Sequence, residues 1–245
     1  MLNKAIRFYA VTAAFALGAA SVSSASMAAL ISASVGGAPV GAGMYENFDN
    51  LAGTGGLSAQ GIMVSFSGTG AGAIALPDAP GYYAAPFLSG SNGTPFGDLH
   101  ANGRDETQYL TTGIGEVTLQ LAESHQYFGL LWGSVDDYNS LSFYSGTTLL
   151  FSITGHDVDA LASGNKGADG TLYVNINSDT PFDRVIASST SYGFEFDNVA
   201  LSVNSIGLPE IGVVSDPNLV PEPGTLVLFG LGLLAGVVAR HRRTA

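Results

Sequence analysis

Between Leu30 and Ser205 the dominant spacing of apolar residues is two. Glu116-Val117-Thr118-Leu119-Gln120-Leu121 alternates polar with apolar, the pattern of a strand with one face in a core and one in water. Ile62–Phe66 alternates apolar with small residues. Further strands are predicted over Tyr127–Trp132, Ser140–Ser145, Thr147–Thr154, Thr171–Asn177, Arg184–Ser188 and Gly193–Val203. Ser145-Gly146, Asp169-Gly170, Ser178-Asp179 and Gly133 read as turns between them. Only His156–Ser163 predicts a helical turn, with Asp157 as its cap. Residues 76–106, rich in Pro, Gly, Asn and Ser, read as a long loop region. Short strands with polar turns, and no helices fit for α/β units, predict an all-β fold. The expected architecture is a jelly-roll-like antiparallel β-sandwich over residues 30–203.

Both ends break this period. Lys4 and Arg7 precede the apolar stretch Phe8–Ala20 and the small-residue zone Ser21–Ala29. That order is the order of a secretory signal peptide, assigned to residues 1–28, with cleavage after Ala25 or Ala28. Residues 204–219 read as a Pro-containing linker. Beyond it, Leu226–Ala239 is an unbroken apolar run followed by Arg240, His241, Arg242 and Arg243. As a helix it spans about 21 Å against a hydrocarbon core of about 30 Å. This apolar transmembrane helix is therefore a weak anchor, held by local thinning or by snorkelling arginines. Between linker and helix, Pro221 and Pro223 hold the backbone around Glu222 extended and deny it helix. Glu222 is thus displayed in the form that a processing enzyme's cleft accepts. Basic residues flank both apolar segments on the side away from the middle, which places the middle outside the cell.

Pro221-Glu222-Pro223, the apolar run and the basic stop Arg240, Arg242 and Arg243 resemble the PEP-CTERM sorting signal, here residues 220–245. The resemblance implies that the chain is a substrate of exosortase, a membrane protease-transpeptidase. Its tail would be removed after transient membrane anchoring and the rest delivered to the cell surface or extracellular matrix. Two inner stretches carry further resemblances. Tyr127–Leu141 resembles a segment common in exosortase-dependent surface proteins. Phe194–Leu201 is similar to the last strand of many bacterial jelly rolls, several of them carbohydrate-binding.

Composition narrows the function. The chain of 245 residues has no cysteine, which removes disulfides, thiolate-zinc sites and thiol nucleophiles. Residues 30–220 carry three basic residues, Arg104, Lys166 and Arg184, against nineteen acids, a net charge of −16. That balance excludes nucleic acid as a partner and favours cations. No nucleophile elbow, His-Glu-x-x-His pair or phosphate loop is present. His100, His125 and His156 lie in separate segments, and Gly68–Gly72, without a following helix, is a β connection. Asp136 and Asp137, adjacent on extended backbone, point to opposite faces and make a poor acid pair for glycoside hydrolysis.

A structural calcium is the one candidate cofactor. Phe-Asp-Asn occurs at Phe48–Asn50 and again at Phe196–Asn198. Neighbouring first and last strands would bring Glu46, Asp49 and Asn50 toward Glu195, Asp197 and Asn198. Trp132, alternating with Leu130 and Phe128, is assigned to the core, and Tyr82-Tyr83 in the loop region is the candidate ligand contact. The expected role is a non-enzymatic surface or matrix protein associated with exopolysaccharide and biofilm. The alternatives are a carbohydrate-binding module and, last, a secreted hydrolase.

Overall fold

The computed structural model describes residues 28–98, 100–208 and 212–215. Residues 1–27 of the segment read as signal peptide, the Pro-Glu-Pro segment, the apolar run and the basic stop lie outside these residues. The first strands are β1 (Ala28–Ser34), β2 (Met44–Glu46), β3 (Gly56–Leu57), β4 (Met63–Thr69) and β5 (Gly72–Ile74). The short β6 (Phe87–Leu88), β7 (Gly103–Arg104) and β8 (Tyr109–Thr111) follow. The body is completed by β9 (Ile114–Gly133), β10 (Asn139–Ser145), β11 (Thr148–Thr154), β12 (Leu172–Ser189), β13 (Glu195–Ser202) and β14 (Gly212–Ser215). The one α-helical turn described, α1, spans Gly155–Val158. The fold is all-β, and every pairing is antiparallel.

Two long strands organise it. β9 and β12 pair along nearly their whole length, from Trp132 opposite Leu172 to Gly115 opposite Ser189. Near the middle their register slips twice, around Phe182. Inward-facing residues of β9 change parity across this point, from Val117, Leu119 and Leu121 to Phe128, Leu130 and Trp132. β12 changes likewise, from Leu172, Val174 and Ile176 to Val185 and Ala187. A strand that keeps period two changes parity only through an irregular residue, and such bulges let one strand pair pass from one layer into another.

The result is a sandwich folded from one continuous sheet. One layer runs β14–β1–β12–β9–β13, with β2 and β8 on the far edge of β13 and β5 beyond β8. The other runs β11–β10–β12–β9–β4–β3. Between them, Phe128 meets Phe143 edge-on at 5.6 Å and Phe182 at 6.4 Å, and Phe143 stacks on Phe151 at 4.6 Å. Trp132 is fully buried and stacks on Phe194 at 4.3 Å.

Three expectations are corrected. Tyr127–Trp132 and Glu116–Leu121 are halves of one strand, as are Thr171–Asn177 and Arg184–Ser188; Ser178-Asp179 lies at the bend and not in a turn. The helical turn is shorter than expected and is capped by Thr154. Asp157 occupies its third position and returns a bond to the Thr154 amide in a capping box. The loop region 76–106 is not simply surface chain. Its Leu88 and Phe96 cover the outer face of the first layer, burying Tyr127, Leu131, Tyr173 and Ala200 in a second apolar cluster. The first layer is therefore buried on both faces, which is why β13 lacks a wet side. Within the segment read as a linker, Ile206 bonds Asn177 and β14 pairs β1.

Candidate functional site

A cleft opens where β9 ends and β13 begins, with Glu195 paired opposite Gly133. It encloses about 240 Å³ and is walled by the loops around residues 81–83, 134–138, 163–166 and 191–193. Tyr82, more than half exposed, stands edge-on to Tyr192 at 4.9 Å. Tyr83 also lines the cleft.

The interior is polar. Ser134, at φ 38°, turns its hydroxyl onto Glu195 Oε2 at 2.5 Å, while Glu195 Oε1 accepts from the Ala84 amide at 3.1 Å. Burial pushes Glu195 up to about 7, and the Ser134 bond, the Ala84 amide and Lys166 offset only part of that rise. Asp136 is raised by burial too, against the opposing pull of the Tyr138 hydroxyl, which donates to its Oδ2 at 2.5 Å. That hydroxyl also lies 3.0 Å from the Tyr192 carbonyl oxygen, and Asn139 Nδ2 donates to the Gly193 carbonyl at 3.1 Å. These bonds fix the 134–139 and 190–193 loops against one another. Gly193 is required by space: a Cβ there would lie 2.7 Å from both Glu195 Oε1 and the Tyr82 carbonyl oxygen.

Asp136 and Asp137 diverge as the extended backbone implied, one buried and the other exposed. Yet Asp136 is more than a turn residue, because it faces the same cleft as Glu195. Glu195 in turn does not join the proposed calcium ligands. Ser134, Lys166 and Tyr192 went unnoticed as site residues, since they belong to no motif. The one available signal was that Lys166 is the single lysine between residues 30 and 220.

The expected calcium residues are only partly gathered. β2 does pair β13, with Glu46 opposite Val199. Glu46, however, spends its carboxylate on the Phe48 and Gln60 amides, at 2.9 and 2.7 Å. Asp49 is exposed and accepts from Asn47 Nδ2 and the Gln108 amide. Asp197 and Asn198 instead turn under the 84–106 cover, where Asn198 Nδ2 donates to Asp98 Oδ2 at 2.8 Å. His100 pairs with Glu106, His125 bonds the Glu123 carbonyl oxygen and His156 sits on α1, so the histidines stay in separate places.

Residues 219–243 match the PEP-CTERM protein-sorting motif. The chain thus carries the signal that supports exosortase-dependent sorting of a surface-directed protein. No curated protein and no solved structure matches it. Among the described residues no helix is long and apolar enough to cross a membrane.

Proposed function

We propose that the chain is a non-enzymatic surface or matrix protein that holds a strand of exopolysaccharide in the Tyr82–Tyr192 cleft. The sorting motif supports delivery to the outside, where the exosortase-type enzyme is its processing partner and the apolar helix its transient anchor. One observation carries the glycan reading: an exposed Tyr82 set edge-on against the half-buried Tyr192 in a cleft whose lining offers hydroxyl, carboxylate and ammonium groups. Sugar rings present apolar faces edged by hydroxyls. Aromatic planes take the former and fixed polar groups the latter.

Binding rather than hydrolysis is supported by the state of the acids. Both Glu195 oxygens already accept bonds from the protein, and Asp136 is tied to Tyr138. A glycan array and a pull-down on polysaccharide extracted from the host test the proposal. Retention is expected, and Tyr82→Ala or Tyr192→Ala should weaken it about two- to tenfold, the worth of one ring contact. No retention on any glycan rejects the reading. Release of reducing ends over time, lost in Glu195→Gln, would replace binding with hydrolysis.

A further inference from the structure

A second cluster, separate from the cleft, lies beneath the cover of the first layer. Asp197 is completely buried, and neither of its oxygens has a hydrogen-bond partner of good geometry, although the nearby Asn198 amide favours its ionised form. Asn198 Oδ1, Asp105 Oδ2 and Asp98 Oδ1 are likewise buried without partners. The Asp105 carboxyl lies within hydrogen-bonding reach of Asp197, and Asp98 adds its own repulsion. Burial, with Asp105 and Asp49 nearby, pushes Asp98 up to about 6, and burial with Asp105 drives Asp197 well above the usual carboxylate range.

Two adjacent strand residues ordinarily face opposite ways. Here β13 is bulged against β9 between Asp197 and Ala200, and Asn198 takes φ 53°. The irregularity turns Asn198 onto Asp98 while Asp197 stays buried beside Asp105. Buried oxygens left without donors or counter-charge strongly disfavour the ionised groups.

Among the described residues, the lysine and the arginines do not supply the charge. Arg104, next in sequence to Asp105, pairs with Asp78. Lys166 acts on Asp136 and Glu195, and Arg184 lies 4.6 Å over the Tyr144 ring. His100, whose charge would favour an ionised Asp98, sits 3.1 Å from Glu106.

We infer that Asp197, Asp105 and the Asn198 amide oxygen form the side-chain shell of a calcium site that fastens the 84–106 cover to β13, with Asp98 orienting Asn198 by accepting from its Nδ2. The donors are all oxygen, which excludes the soft and borderline metals that seek nitrogen or sulfur. An amide oxygen and carboxylates on irregular chain suit the flexible shell of calcium better than the rigid octahedron of magnesium. No three His, Cys, Asp or Glu side chains of the described residues stand ready around one point. The shell therefore rests on the Asp105–Asp197 pair and the Asn198 amide oxygen. Calcium at the millimolar level met outside a cell is enough for a site of this kind.

The test uses the full chain, stripped with chelator and then titrated with calcium chloride. One calcium per chain is expected by elemental analysis, with Tm rising about 5 to 10 °C at a hundredfold excess over Kd. Asp197→Asn should abolish both while leaving the stripped chain at least as stable as before, because it removes a crowded charge; a failure to fold would give the opposite sign. Glu46→Gln, outside the shell, should keep the full calcium shift. A chain that takes up no calcium at millimolar concentration overturns the inference, as does a shift that survives in Asp197→Asn. Acid stabilisation that Asp197→Asn removes, in a chain that takes up no calcium, means that Asp197 and Asp105 share a proton and also overturns it.

Discussion

Glu195→Gln isolates what burying an acid at the end of the sheet does to the fold. Glu195 is only 2% exposed, and burial raises its pKa from an ordinary 4.5 to about 7. Every tenfold gain in proton affinity corresponds to about 1.4 kcal/mol, so the carboxylate costs the folded state roughly 3 kcal/mol once both states are ionised. The folded protein holds this proton more tightly than the unfolded chain does. The group's contribution is therefore fully favourable below about pH 4.5 and is lost as pH rises through 7. Glutamine keeps the shape: its oxygen can accept from the Ala84 amide while its amide donates to a rotated Ser134 hydroxyl. The variant should match the parent near pH 4.5 and exceed it by roughly 3 kcal/mol at pH 8.5. Urea midpoints from pH 4.5 to 8.5, taken in chelator so that cation binding adds no pH dependence, provide the measurement. Asp98 and Asp197 impose the same sign on both proteins, so the gap between the two curves carries the result. Parallel curves, or a parent that gains stability as pH rises, would refute the argument.

Phe128→Ala should destabilise the chain by about 3–5 kcal/mol in urea, since its ring fills the space between Phe143 and Phe182 where the layers meet. A loss under 1 kcal/mol would mean that the layers do not pack through these rings. Pro221→Ala combined with Glu222→Ala should leave the tail attached. Mass spectrometry of the mature C-terminus reads this, and normal processing of the variant would sink the sorting account.

The strand pattern was legible because period two is a local property, readable wherever a face is wet. Glu116–Leu121 kept it, and that half of β9 buries Val117, Leu119 and Leu121 as expected. Tyr127–Gly133 is buried on both faces, so its apolar run did not show that it continues the same strand. The acids illustrate the same limit. Glu195, Asp197 and Asn198 look alike as an edge-strand cluster, but Glu195 opens to the cleft while the bulge carries Asp197 and Asn198 beneath the cover.

What the sequence by itself determined is therefore what is read one segment at a time: the β class, the missing thiols, the surplus of acid and the sorting motif at 219–243, a linear signal meant to be read extended. The tertiary structure alone decided which distant residues meet. Tyr82, Ser134, Lys166 and Glu195 share one cleft, and Asp98 and Asp105 lie against Asp197, because pairing register and two bulges place them there. Register is a relation between segments a hundred residues apart, and no local period contains it.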